Sequence, residues 1–156
     1  IFIKMISSKR ICLRKFRMNE TDLLFQLDGD ADVMKYITLG IPRTMNGVIK
    51  ESMPRVLNSY QDKSDFGIFA AYLINSEKYI GWFQFEKDRE FEDSIEIGWR
   101  LKKQYWGNGY ATEVATLLCK FGKKMGKTIV ARAMIENLAS IRVMEKAGMK
   151  FEKEFW

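Results

Sequence analysis

Apolar and polar positions change their spacing several times along the chain. Over residues 10–16 they alternate in twos, Ile11 and Leu13 against Arg10, Cys12 and Arg14, the pattern of a half-buried strand. Asn19 or Thr21 can cap a helix that runs to about Leu27, and the polar stretch 28–32 ends it. Residues 44–60 read as a second helix after Pro42. Pro54 should kink or split it, because proline offers no N–H and its ring meets the carbonyl four residues back. The period then shortens. Residues 66–73 are densely apolar, 75–78 are turn-like, and 79–85 are aromatic and β-branched. After a second polar turn, 86–93, Ile95, Ile97, Trp99 and Leu101 alternate with Glu96, Gly98 and Arg100. Three strands joined by short turns form an antiparallel meander, since parallel neighbours need long crossovers.

Beyond Gly109 the helical period returns, with Ala111, Val114, Ala115, Leu118, Gly122 and Met125 on one face. Residues 128–134 form the next expected strand, reached by a helical crossover and therefore parallel to the strand before it. Asn137 or Ser140 then opens a helix through Lys146, with Gly148 placed to end it, and 149–155 begin a last strand. The expected fold class is α/β in the layered α+β sense. It has a mixed, mostly antiparallel central sheet with one parallel pair and flanking helices.

Composition narrows the chemistry. At 156 residues, with 47% hydrophobic and 29% charged positions, residues 1–156 read as one globular domain. No apolar run approaches the ~18–20 residues that span a bilayer, so no membrane role is expected. Cys12 and Cys119 stand alone, without metal-ligand spacing, and read as buried thiols of a reducing, cytoplasmic protein. The chain has no histidine, which excludes histidine triads, histidine-ligated zinc and histidine bases; no metal is expected. The net charge of +6 is spread along the chain, which favours a solvated surface over a nucleic-acid stripe.

The informative stretch is strand, loop, two glycines, helix: Ile95 to Leu101, then Trp106, Gly107, Asn108, Gly109, Tyr110, Ala111, Thr112 and Glu113. Glycines let backbone N–H groups approach an anion, and a helix start adds unpaired donors and a positive dipole end. That is a phosphate cradle. A Walker loop would need a lysine after Gly109, and a dinucleotide fingerprint would need a small third residue where Thr112 stands.

The segment from Trp106 to Glu113 resembles the acetyl-CoA motif of GNAT-superfamily acetyltransferases, [QR]-x-x-G-x-[GA], filled here by Trp106, Gly109 and Ala111. Gln104 offers a second register with Gly107 and Gly109. Tryptophan at the first position is typical of the branch that includes the RimJ/RimL-type N-terminal acetyltransferases. A second block, from Asn137 to Met149, is similar to the same branch, and the likeness covers nearly the whole chain.

The resemblance implies an acyl-CoA N-acyltransferase fold in which Ser94–Leu101 splays from its parallel neighbour and acetyl-CoA lies in the gap. Backbone groups of Trp99, Arg100 and Leu101 would bond the pantetheine arm, and amides from Gly107 to Thr112 the diphosphate. Asn137 and Ser140 would sit near the thioester, with Arg142 and Lys146 toward phosphates or solvent. A carboxylate, directly or through water, could take the ammonium proton, and Glu96 is the first candidate; alternatively it only pairs with Arg100. Many relatives place a tyrosine acid where Met144 stands; Ser140 is the best substitute here, with water as the alternative for a thiol leaving group. Relatives continue into a seventh strand. Here the C-terminus is trimmed or a partner subunit supplies that strand, making a homodimer. The expected acceptor is a primary amine. The α-amine of a protein or peptide is favoured, because residues 34–44 form an apolar lip carrying only Lys35 and Arg43 as charges. A polyamine or antibiotic acetyltransferase, a silent acetyl-CoA binder and a nucleic-acid-binding domain are the competing readings.

Overall fold

The computed structural model describes residues 6–60 and 65–154. Among the described residues six strands lie side by side in chain order: β1 (Ile6–Ser7), β2 (Ile11–Lys15), β3 (Gly67–Leu73), β4 (Tyr79–Lys87), β5 (Ser94–Leu101) and β6 (Thr128–Val130). The first five pair antiparallel and β5 pairs parallel with β6. Short turns impose the antiparallel pairing of β1 with β2 and within β3–β5, β2 reaches β3 through the intervening helices, and a helical crossover separates the parallel pair. The crossover is α4 (Tyr110–Lys124). Its Val114, Ala115, Leu118 and Cys119 bury against Phe83, Phe85, Ile95 and Ile97 on one face of the sheet. Full burial of such side chains stabilises by roughly 1.5–3 kcal/mol each.

The opposite face carries α1 (Thr21–Asp28) and a helical run of three pieces: α2 (Met45–Gly47), a π-helical turn (Val48–Ser52) and α3 (Met53–Asn58). Leu24, Leu27, Val48, Met53 and Val56 pack there on Ile68 and Ala70. The split expected from Pro54 takes the form of that π-turn. The Met53 amide reaches back five residues to Val48, which widens the coil ahead of the proline ring. Thr44 caps the run by accepting from the Gly47 amide.

Several expectations are corrected. Neither Asn19 nor Thr21 caps α1. Glu20 holds the cap position, and its carboxylate is committed to Arg14 at 2.8 Å. β1 was not legible, and it pairs two residues with Cys12 and Leu13. Met125 is exposed, and Cys119 takes its place on the buried face of α4, while Cys12 is only half-buried. β6 stops at Val130 instead of Met134, because beyond Glu96 and Val130 the two strands no longer meet. No strand forms over residues 149–154, where Phe151 is exposed; Phe155 lies outside the described residues. α5 (Leu138–Lys146) starts from Asn137 and is followed by Gly148 in the left-handed region, as expected.

Gly81 is the tightest point of the meander. Its φ is +145°, and a Cβ there would stand 2.1 Å from the Arg100 carbonyl oxygen across β4 and β5. Gly81→Ala combines a backbone clash with left-handed strain, about 3 kcal/mol in total. Thermal unfolding should show the midpoint falling by roughly 6–12 °C, and a loss under 2 °C would refute the close approach.

Candidate active site

β5 and β6 share only three residue pairs, ending at Glu96 and Val130. β5 continues to Leu101 with no strand on that edge among the described residues. Ser94 aims its carbonyl at Asp88 and Lys102 its amide at Ile80, both on the β4 side. Strand alternation therefore turns the backbone groups of Ile97, Trp99 and Leu101 to the open side. The gap between this edge, the start of α4 and the α5 helix is a cleft of about 650 Å³.

At one end of the cleft a short 3₁₀ turn (Lys103–Tyr105) leads into the glycine loop. The Trp106 indole folds back and donates to the Leu101 carbonyl at 2.9 Å, so that oxygen is already occupied. Gly107 and Gly109 both sit in the left-handed region, at φ +78° and +77°, which an L-residue adopts only at a cost. The amides of residues 107–112 donate to no acceptor among the described residues, and α4 has no side-chain cap. The loop is braced from behind. Arg10 donates to the Asn108 carbonyl at 3.0 Å and to Glu113 at 2.7 Å, and lies over the Tyr110 ring. Asn108 itself does not line the cleft: its amide donates to the carbonyls of Tyr105 and Trp106. Trp99, Leu101, Trp106, Ala111 and Thr112 all face the cleft.

The far wall belongs to α5. Asn137 accepts the Ser140 amide at 3.2 Å, capping the helix while both residues line the cleft. The Ser140 hydroxyl has no partner among the described residues, and Arg142 and Lys146 lie further along the same wall. Past Asn137 and Ser140 a second cavity of about 190 Å³ opens, lined by Trp82, Gln84, Gly98, Arg132 and Met144.

Glu96 does not pair with Arg100. One of its oxygens accepts from Gln84 at 3.0 Å and the other from Arg132. Arg132 also grips Asp88 at 2.6 Å, and that hydrogen bond holds the Asp88 carboxyl down at about 2. Arg100 turns instead to Asp28, 2.6 Å away and almost completely buried, which also accepts from Ser52 at 2.5 Å. Burial pulls the Arg100 guanidinium below its ordinary value, against the pull of Asp28. Its side chain therefore anchors α1 to β5.

A family model described as an acetyltransferase (GNAT) domain matches residues 10–150. The chain belongs to the GNAT acetyltransferase family. It is an acetyl-CoA-dependent N-acetyltransferase. It is 31% identical to the Bacillus subtilis (strain 168) protein named "Uncharacterized N-acetyltransferase YnaD" over 96% of this chain and 85% of that one. A GNAT-family acetyltransferase structure from Bacillus anthracis, 32% identical, superposes with a TM-score of 0.79 over 96% of this chain and 85% of that one. The RimL ribosomal L7/L12 α-N-protein acetyltransferase, solved with coenzyme A, shares the fold at 16% identity. Its TM-score is 0.73, covering 92% of this chain and 82% of that one.

In this acetyltransferase the glycine loop, β5 and the start of α5 meet at one cleft, while Glu96 lies behind the smaller cavity, bonded to Gln84 and Arg132 of its lining. Arg132, Asp28 and Gln84 were missed. Arg132 follows a strand with ordinary spacing, and Asp28 stands in a polar run that reads as solvent-exposed. Only Gln84, a lone polar side chain in the run from Tyr79 to Phe85, carried a signal. Asp88 binds fewer protons folded than unfolded, so its contribution to stability is complete above pH ~4 and lost as pH falls toward 2. Arg132→Gln should lower the melting temperature at pH 7 by roughly 4–8 °C, about 2 kcal/mol. The gap to the wild type should narrow between pH 5 and pH 2.5. A gap that stays constant would show that Asp88 is not what Arg132 stabilises.

Proposed function

We propose that this N-acetyltransferase acts on the α-amine of a protein or peptide, as in the RimJ/RimL-type branch. The observation that carries the catalytic reading is the continuous path from six unbonded amides, along an unpaired strand edge, to a separate polar cavity. Amides need no counter-charge to hold a diphosphate, and two left-handed glycines keep side chains out of their way. Acetyl-CoA supplies the activated acetyl group. The open backbone of Ile97 and Trp99 would bond its pantetheine arm as an added strand bonds a sheet edge. A β5 amide would polarise the thioester carbonyl.

Ser140, common to both cavities, would orient the departing sulfur or give it a proton. Met144 has no proton to give. Each Glu96 oxygen keeps a lone pair beside its existing bond, so a water can pass the ammonium proton toward it. Arg142 and Lys146 would serve the phosphates.

The acceptor assignment rests on the mouth. Ile37 lines both cavities, and Leu39 and Ile41 on the same loop are exposed, with Leu39 held in the left-handed region at φ +57°. Lys103 is neutralised by Asp32 at 2.6 Å, and Arg43 turns inward to Ser52 and Glu51. An apolar lip on a chain of net charge +6 suits a neutral or acidic peptide better than a polycation.

A Cβ on Gly109 would point toward Arg10, 3.6 Å away, so Gly109→Val acts by re-aiming the amides and not by filling the cradle. Calorimetry should show acetyl-CoA affinity falling at least about tenfold, the worth of one or two hydrogen bonds. Unchanged affinity would remove the loop as the diphosphate site. For the acceptor, mass spectrometry of a peptide panel and spermidine with acetyl-CoA at low salt should show peptides with small or acidic N-terminal residues reacting faster. Preferential turnover of spermidine, insensitive to salt, would point to a polyamine or antibiotic substrate.

A further inference from the structure

The polar row on the acceptor face of the sheet has one member whose orientation is dictated and whose free end is unused. Gln84 on β4 stands opposite Gly98 on β5, flanked by Trp82 opposite Arg100 and by Glu86 opposite Glu96. Its Nε2 donates to Glu96 at 3.0 Å and to Glu86 at 3.2 Å. Both carboxylates are held in place in turn, Glu86 by Arg55 at 2.7 Å and Glu96 by Arg132. Ionised carboxylates only accept hydrogen bonds, so rotating the amide would set its oxygen against two anions. The Oε1 end must therefore face away from them. It lies over the bare Cα of Gly98, 2.6 Å from where a Cβ would be, on the wall of the 190 Å³ cavity. No donor among the described residues reaches it.

We infer that Gln84 Oε1 is the hydrogen-bond acceptor for the incoming primary amine, and that Gly98 is glycine so that this oxygen can reach the reacting edge of β5. The inference rests on the N-acetyltransferase reading and names the group that receives the amine. A neutral primary amine has two N–H bonds and one lone pair. Giving one N–H to Oε1 leaves the lone pair free to turn toward the open backbone of Ile97 and Trp99. The ammonium form is held by the same oxygen, with the Glu86 and Glu96 charges behind it. Gln84 forms no bond to the acetyl group and moves no proton. It fixes where the nitrogen waits.

Two variants separate this role from a structural one. Gln84→Met keeps the volume and removes the oxygen. Gly98→Ala leaves Gln84 and both carboxylates in the sequence and pushes the oxygen, the end of a flexible side chain, out of place. Steady-state kinetics would use an N-terminal seryl peptide and spermidine as acceptors, and calorimetry would give the acetyl-CoA affinity of each variant. Both variants should raise KM for the amine about tenfold, the effect of one lost hydrogen bond, with acetyl-CoA affinity unchanged. Unaltered kcat/KM for the amine in both variants, or a loss matched by an equal loss of acetyl-CoA affinity, would overturn the assignment while leaving the transferase reading intact. A wild-type protein that binds acetyl-CoA and acetylates neither amine would overturn both.

Discussion

Two parallel strands that pair for three residues and then part create most of what is useful in this protein. Pairing between β5 and β6 ends at Glu96, and Arg132, two residues beyond the end of β6, closes the point of separation. Asp88 and Glu90 on the turn before β5 join Glu96 on the same guanidinium. Were the strands to continue side by side, the backbone of Ile97 and Trp99 would be consumed by sheet bonding and the cleft would close. A charged knot at the apex suits this duty better than apolar packing. It holds one geometry between elements that arrive from different directions, and its members cannot be interchanged.

The three-strand meander, the crossover and the glycine loop were legible because each depends on local information. Alternation in twos, short turns and an i, i+3, i+4 stripe are written in neighbouring residues. What escaped depends on distance. The Arg132 partners lie 36 to 44 residues away, and Asp28 meets Arg100 across 72. A carboxylate in a polar run gives no sign that a helix end will carry it into the core. The expected strand failed over residues 131–134 where its pairing partner left it, since strand structure needs a neighbouring edge as well as propensity.

Within the candidate site the same division holds. The Asn137 cap and the two left-handed glycines were readable, because turn and cap chemistry is local. The brace that presses Arg10 onto Asn108 and Glu113 was not, since it joins the first hairpin to the fourth helix over roughly a hundred positions. Through that brace the first strands support a loop they never enter.

The glycine loop has a consequence for inheritance. What it presents is a row of main-chain N–H groups, which every residue but proline possesses, so that surface is specified by dihedral angles and hardly by side-chain identity. Positions 108, 110 and 112 can change chemistry without altering what the loop offers an anion, provided the two glycines hold their angles. A surface recorded in this way can pass between lineages whose sequences have otherwise drifted nearly beyond comparison. Superposition is then a better guide to shared ancestry of the site than percentage identity.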